Sequence, residues 1–103
     1  MLDLAVLAVL ADDDGYGYGY GYDIVRRLRE AGLEDVGDAS VYGTLRRLYR
    51  NGRLSSYVEA SDESPHRKYY GLTAGGRDQL EAGAKTWASF TDAVDGLLAG
   101  ATR

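Results

Sequence analysis

Cysteine is absent from this chain of 103 residues, and proline, histidine, tryptophan, phenylalanine and methionine each occur only once. Without cysteine, neither a disulfide framework nor a thiolate metal site can form. A metal site would have to use carboxylates alone, and Asp12 to Asp14 lacks the spacing of a calcium-binding loop. The carboxylates cluster in predicted loops and on solvated faces rather than as an inward-facing pair. We therefore predict a protein that is not an enzyme, with no catalytic site, metal or cofactor.

Apolar runs of membrane-spanning length are also absent. The most apolar stretch, Leu2–Ala11, is too short to cross a bilayer and lacks the basic segment of a signal peptide. We interpret it as a buried helix, and we predict a cytoplasmic protein with no membrane contact.

Positive charge is scarce overall and unevenly distributed. The formal net charge is -4 at pH 7, with 3 basic and 9 acidic side chains in residues 1–39 and 3 and 4 in residues 73–103. Residues 40–72 hold 6 basic and 3 acidic side chains, so the positive charge is concentrated there. Such a basic unit on an acidic body can contact phosphate, but it predicts modest non-specific affinity for nucleic acid.

The central basic segment is Ser40–Arg53, SVYGTLRRLYRNGR. Its apolar residues follow one stripe of a helix with a 3.6-residue period: Val41, Leu45 and Leu48, widened by Tyr42 and Tyr49. The other side is polar or basic: Ser40, Thr44, Arg46, Arg47 and Arg50. Such a face suits the major groove of DNA, where arginine can bind guanine or phosphate. It is equally typical of a solvated surface helix, and this segment alone does not separate the two interpretations.

The residues that follow predict a two-stranded hairpin. Asn51-Gly52 is a helix stop, and Thr73 can cap a further long helix. Between them, the composition indicates strand, polar tip and strand: Leu54–Ala60, Ser61–Pro65 and His66–Leu72. A basic helix followed directly by a hairpin is the order of a winged helix, in which the helix enters the major groove and the wing touches the DNA backbone. We interpret His66 as a wing residue.

Upstream of the basic segment, Tyr22–Ala31 predicts the scaffold helix of a helix-turn-helix. Its arginines can contact phosphate or pair with Asp23 and Glu30 on the same helix. The turn is Leu33–Asp38, and Gly37 or Asp38 is placed to cap the next helix.

The stretch Asp12–Tyr22, DDDGYGYGYGY, has four Gly-Tyr pairs but does not match a phosphate-binding glycine fingerprint. We interpret Asp12–Tyr20 as a flexible loop with no dedicated role, because surface loops accept additional residues at small entropic cost. The alternative is an aromatic loop that stacks on a partner or ligand.

After Thr73, the chain predicts a long helix with an apolar seam. The seam positions alternate spacings of 4 and 3: Leu80, Ala84, Trp87, Thr91, Val94 and Leu98. This seam is longer than a small domain needs for its own core, so it suits packing between two chains. The alternative is a helix folded back on its own monomer, with Trp87 as a packing anchor.

The run Ser40–Val58, with Gly21–Ile24 upstream and His66–Thr73 downstream, closely resembles the PadR family of bacterial and archaeal winged-helix transcriptional regulators. Its most specific pieces are YGTLRRL at Tyr42–Leu48 and RKYYGLT at Arg67–Thr73. Two residues depart from the family pattern. Gly43 lies inside the recognition helix, at a cost of about 1 kcal/mol relative to Ala, and is expected to permit close approach to DNA. Arg53 replaces an apolar residue and adds a cation beside the wing.

The resemblance implies a role for several sets of residues. It implies DNA contacts from the groove face and the wing: Ser40, Tyr42, Thr44, Arg46, Arg47, Arg50, Arg67 and Lys68. It implies that the last helix, through the seam defined above, forms a homodimer on an inverted-repeat operator. Some PadR-like regulators bind flat aromatic effectors between a tryptophan at this place and its mate, which implies an effector site: Trp87, Phe90, Thr91 and Leu4.

The sequence thus predicts a mainly α protein with a small β-hairpin. Residues 1–72 are expected to form a winged helix-turn-helix and residues 73–103 a C-terminal dimerisation helix, within one compact domain overall. We expect a homodimeric repressor that binds double-stranded DNA and is released by a planar aromatic small molecule. The alternative is a protein-interaction module that keeps this fold without specific DNA binding.

Overall fold

The computed structural model describes residues 2–11, 19–61 and 64–102, which form four helices and a three-stranded sheet. The prediction of a mainly α fold with a hairpin and a long last helix is confirmed. None of the helices in these ranges combines the length and the apolar character that crossing a membrane requires. In chain order the elements are α1 (Leu2–Ala11), β1 (Gly19–Tyr20), α2 (Gly21–Glu30), α3 (Asp38–Arg50), β2 (Leu54–Ser61), β3 (Ser64–Leu72) and α4 (Ala74–Ala101).

The core lies where α1, α2 and α3 meet the inner face of the sheet. Helix α1 is apolar on almost every side, which is the pattern of a helix enclosed by other elements, and its inner residues are fully buried. Helices α2 and α3 are amphipathic and turn one stripe inward. The buried apolar residues of the described chain are Val6, Leu7, Leu10, Ile24, Val25, Leu28, Val41, Leu45, Leu48, Leu54 and Tyr70.

The turn between α2 and α3 is fastened by one arginine. Arg29 of α2 donates hydrogen bonds to the backbone oxygen of Val36 at 3.1 Å and to Oδ1 of Asp38 at 2.6 Å. Helix α3 begins after Gly37, which is the N-cap and offers no side-chain hydrogen bond. On α2, Arg26 pairs with Asp23 and Glu30, one of the two outcomes expected for these arginines.

The hairpin is antiparallel, with Leu54 opposite Leu72 and Ser61 opposite Ser64. Cross-strand partners Tyr57 and Tyr69 stack, with ring centroids 5.1 Å apart and planes 10° from parallel. Such aromatic pairs are a recurrent source of sheet stability.

A third strand was not expected from the sequence. The Gly-Tyr stretch was predicted as a loop, but its Gly19–Tyr20 portion is β1, which pairs with the outer edge of β3 opposite Tyr70 and Tyr69. The loop prediction is therefore wrong for these two residues, because backbone pairing to an open sheet edge needs no side-chain pattern. The remainder, residues 12–18, lies outside the described residues.

Helix α4 starts at a tightly bonded junction. Thr73 caps it as predicted: its hydroxyl accepts from the amide of Gly76 at 3.0 Å and donates to the backbone oxygen of Gly52 at 2.6 Å. Gly52 has φ 76°, the left-handed conformation expected at this helix stop. The only fully buried residue of α4 is Gly76, and Leu80 packs against the core from its edge. Beyond residue 82 most of this helix is exposed.

Candidate nucleic-acid interface

Helix α3 divides cleanly into an inner and an outer face. The inner face is buried at i, i+3, i+4 and i+7: Val41, Thr44, Leu45 and Leu48. The outer face runs at i, i+4, i+7 and i+11: Ala39, Gly43, Arg46 and Arg50. The outer face therefore has no side chain beyond Cβ at its first two positions and an arginine at each of its last two.

The two arginines of the outer face are exposed, and no carboxylate of the described residues lies within ion-pair distance of either. Gly43 has only the guanidinium of Arg46 near the position that a Cβ would occupy, at 4.0 Å. Nothing within the described chain thus requires glycine at this position. The arrangement leaves a shallow surface with two available cations, and such cations can bind phosphate or a guanine edge.

The structure changes the prediction for Thr44. This residue is only 5% exposed, and its hydroxyl donates to the backbone oxygen of Ser40 at 2.9 Å. Its assignment to the groove face is therefore withdrawn, because its side chain is used within the helix. Its spacing of three residues from Val41 was the signal in the sequence that places it in the inner stripe.

Tyr42 and Ser40 lie on the flanks of α3. The Tyr42 ring is half-buried and packs beside Gly21, where an added Cβ would approach Cε1 to 2.8 Å. Ser40 is exposed in the first turn. The flank therefore offers the Ser40 hydroxyl to a ligand more readily than the Tyr42 ring.

Arg47 lies on the flank that faces α1. Its Nη2 donates to Oδ1 of Asp3, in the first turn of α1, and the two side chains are 52% and 33% exposed. Of the three arginines predicted to face DNA, Arg47 is thus the one that pairs with a carboxylate of the described residues. The residues are 44 positions apart, and nothing in the sequence pattern indicated this pair.

The wing contributes Lys68, whose ammonium lies 5.5 Å from the ring centroids of both Tyr49 and Tyr70. These contacts join the last turn of α3 to β3, and Lys68 is exposed. Arg67 belongs to β3, but its side chain lies outside the described part of the structure. The wing cation therefore lies beside the C-terminal end of α3.

The predicted seam of α4 is only partly covered by its own chain. Leu80, Thr91 and Val94 are half-buried, whereas Ala84, Trp87 and Leu98 are exposed. Two further apolar residues join this surface, with Phe90 58% and Leu97 73% exposed. The helix is thus not fully folded back on its own monomer.

A cleft of about 540 Å³ lies between α1 and the middle of α4. Three of the four predicted effector residues line it: Leu4, Trp87 and Phe90. The Trp87 and Phe90 rings are 5.9 Å apart and tilted by 34°. Thr91 does not line the cleft, so that prediction is corrected: its hydroxyl oxygen is buried without a hydrogen-bond partner among the described residues. Five lining residues were not foreseen: Asp3, Leu7, Gln79, Gly83 and Thr86.

Gly83 explains how the two helices approach at this cleft. A Cβ at this position would lie 2.8 Å from Cδ1 of Leu4, so a larger residue here would require the Leu4 side chain to shift. Beside this close contact lies the cleft, which is lined by the Trp87 and Phe90 rings and by the Asp3 carboxylate. The described residues contain no cluster of three or more side chains that could hold a metal ion.

The comparisons with known proteins agree on one family. The family model described as "Transcriptional regulator PadR-like family" matches residues 6–82 of this chain. No curated protein matches the chain significantly. Among solved structures, a PadR-like regulator from Bacillus cereus is 29% identical with a TM-score of 0.80, covering 94% of this chain and 90% of that one.

Two further structures extend this comparison. A PadR family regulator from Clostridium difficile is 27% identical with a TM-score of 0.81, covering 94% of this chain and 97% of that one. PadR of Bacillus subtilis, in complex with operator DNA, is 25% identical with a TM-score of 0.68, covering 80% and 45%. The chain therefore belongs to the PadR-like family of transcriptional regulators, which are DNA-binding proteins and not enzymes.

Proposed function

We propose that α3 is the helix that reads DNA, and that Arg46 and Arg50 are its principal contacts. The observation that carries this proposal is that both arginines are exposed and have no carboxylate partner in the described chain. On the same face, the small residues Ala39 and Gly43 would let the helix approach the floor of a DNA groove closely. The relative from Bacillus subtilis, whose structure is in complex with operator DNA, supports DNA binding by this chain. Lys68 beside the end of α3 and Ser40 at its start extend the contact surface. Arg67 remains a proposed wing contact.

We further propose that α4 joins two copies of the chain. The exposed fractions of Trp87, Phe90, Leu97 and Leu98 range from 43% to 73%, and covering them would remove apolar surface from water. A two-fold dimer would present two α3 helices about 34 Å apart, one turn of DNA, and would select an inverted repeat. In this form the protein acts as a repressor in the cytoplasm.

The cleft between α1 and α4 is the proposed effector site. Its volume lies in the range typical of small-molecule sites, and the Trp87 and Phe90 rings offer stacking surfaces to a planar aromatic ligand. A ligand wedged there would shift α4 relative to α1, and therefore the two α3 helices relative to each other. Operator affinity would fall by linkage.

The DNA contacts are tested with a duplex selected by the wild-type protein from a randomised library. Replacing Arg46, Arg47 and Arg50 together by alanine should abolish measurable binding, since each base-reading arginine contributes about 1 to 3 kcal/mol. Arg26→Ala is the matched control, because it removes an exposed arginine from α2 and should leave affinity nearly unchanged. Unchanged binding by the triple variant would contradict the assignment.

The dimer is tested by sedimentation at micromolar concentration. Wild type should sediment as a dimer, and Leu97→Glu with Leu98→Glu should sediment as a folded monomer, because a buried carboxylate in an apolar seam is strongly unfavourable. Lys85→Glu, an exposed charge change on α4 outside the apolar surface, is the control. A wild-type monomer would rule out this part of the proposal.

The effector site is tested by fluorescence, since Trp87 is the only tryptophan in the chain. Planar dyes and phenolic acids that bind the cleft should quench its emission and release the selected duplex. Trp87→Leu has no indole to quench, and its complex with the duplex should no longer be released by these compounds. If no compound quenches the indole and the Trp87→Leu variant is still released normally, Trp87 is a packing residue.

A further inference from the structure

Asp3 lies between helix α3 and the cleft, and it contacts the first and lines the second. One oxygen of its carboxylate accepts from Nη2 of Arg47 on α3, and the residue also lines the cleft between α1 and α4. Among the described residues, it is the only one in that lining with an acidic or basic side chain. The effector cleft and the recognition helix therefore share one carboxylate.

The contact changes what Arg47 can offer to DNA. A guanidinium that is paired with a carboxylate has less net charge to present to phosphate, and a carboxylate beside the DNA backbone is itself repelled. Arg46 and Arg50 are not restrained in this way by any described residue. Because the side chains of Asp3 and Arg47 are 33% and 52% exposed, their pair is weak enough to be exchanged for another partner.

We propose that the Asp3–Arg47 pair is an autoinhibitory contact, and that a planar aromatic cation in the cleft relieves it. The ring of such a ligand would stack on Trp87 and Phe90, while its cation would take the Asp3 carboxylate. Arg47 would then be free to bind phosphate. This inference rests on the proposed DNA-binding role of α3 and on the proposed effector cleft.

The charge of the ligand becomes decisive under this arrangement. A neutral aromatic ligand fills the cleft and acts only through α4, so the Asp3–Arg47 pair stays closed. A cationic ligand of the same shape also opens the pair, so it leaves the protein with higher operator affinity than its neutral counterpart does. The cleft would thus distinguish two ligand classes that stack equally well.

The first experiment measures binding of the library-selected duplex as a function of salt. Asp3→Asn should raise affinity severalfold at 50 mM salt and steepen the slope of log K against log salt by about 0.9, the value for one added phosphate contact. In an Arg47→Gln background, Asp3→Asn should leave the salt slope unchanged and raise affinity by a smaller factor, because only the direct repulsion between the carboxylate and phosphate is then removed. Asp23→Asn is the matched control, because it also removes one carboxylate paired with an arginine, but on α2.

The second experiment compares naphthalene-2-carboxamidine, a cation, with naphthalene-2-carboxamide, its neutral analogue, by quenching of Trp87. The amidine should bind wild type at least about fivefold more tightly, and this preference should disappear in Asp3→Asn but remain in Asp23→Asn. With saturating ligand, the amidine complex should bind the duplex more tightly than the amide complex, and the difference should vanish in Arg47→Gln.

The two levels of the proposal fail in different ways. If wild type selects no duplex, the DNA-binding role itself is wrong. If wild type binds DNA but Asp3→Asn leaves affinity and salt slope unchanged, the autoinhibitory contact is overturned. Equal binding of the amidine and the amide to wild type would overturn the ligand class.

Discussion

Helices α1 and α4 are both rich in apolar residues but use them differently. In α1, Val6, Leu7 and Leu10 are at most 1% exposed, because α2, α3, the sheet and part of α4 enclose the helix. In α4, a helix of 28 residues, only Gly76 is buried, and Leu97 remains 73% exposed. The apolar residues of α1 are thus buried by the rest of the chain, whereas most apolar residues in the outer part of α4 remain exposed.

This difference separates two kinds of stability. Burial in α1 belongs to the folding of one chain and does not depend on protein concentration. Burial of the outer part of α4 requires a second molecule, so its contribution follows mass action. Substitutions in the two helices should therefore be distinguishable by concentration alone.

The largest effect is expected from a pair of leucine truncations. Leu10→Ala should lower the free energy of unfolding by about 3 kcal/mol at any protein concentration, since it leaves a cavity in a packed core. Leu97→Ala should lower apparent stability only at concentrations where wild type is dimeric. Denaturant unfolding at two concentrations a hundredfold apart measures both. A concentration-independent loss in Leu97→Ala would contradict the proposed dependence on a partner.

The next test uses one substitution at two glycines of α4. Gly76→Ala places a Cβ 2.1 Å from the backbone oxygen of Arg53, and a backbone atom cannot move aside cheaply. We expect a loss of about 2 to 3 kcal/mol from overpacking. Gly96→Ala meets nothing within 4 Å and should instead gain up to about 1 kcal/mol from helix propensity. Thermal melts of the two variants measure these effects: Gly76→Ala should lower the melting temperature, and Gly96→Ala should raise it.

A similarly small effect on stability is expected at Gly43, where stability and binding should diverge. Gly43→Ala should stabilise the isolated protein by about 1 kcal/mol, because Gly is a poor helix former and only Arg46 is near. The same methyl group would stand on the face proposed to meet DNA and should weaken duplex binding. Parallel unfolding and binding titrations measure the two effects. Equal or tighter DNA binding by the stabilised variant would mean that the DNA does not approach Gly43 closely.

Elements with a strong periodic pattern could be predicted from the sequence. The stripe of Val41, Leu45 and Leu48 predicts α3, and Thr73 predicts the start of α4 through its capping chemistry. These features depend on residues within one or two turns of each other, where helical geometry fixes the relation. The hairpin could also be predicted from a local pattern, because runs rich in Val, Tyr and Leu flank a polar tip.

Features that depend on distant approach could not be predicted. β1 has only two residues and pairs through its backbone, so nothing in the sequence distinguishes Gly19–Tyr20 from the other Gly-Tyr pairs of the stretch. The contacts of Asp3 with Arg47 and of Gly83 with Leu4 arise from how α1 packs against α3 and α4. The burial of Thr44 is different, because its spacing of three residues from Val41 already indicates a side chain on the inner stripe of the helix.

Thr73 has a mechanical consequence for the whole molecule. Its backbone amide donates to the oxygen of Arg53, and its hydroxyl bridges Gly52 and Gly76, so the end of α3, the end of the wing and the start of α4 meet at one residue. Helix α4 is therefore a lever about 42 Å long with its fulcrum at this joint. By the same geometry, a rotation of about 5° at Thr73 would displace the far end by roughly 4 Å. In the proposed dimer, small rotations would thus change which operator spacings the two copies can span.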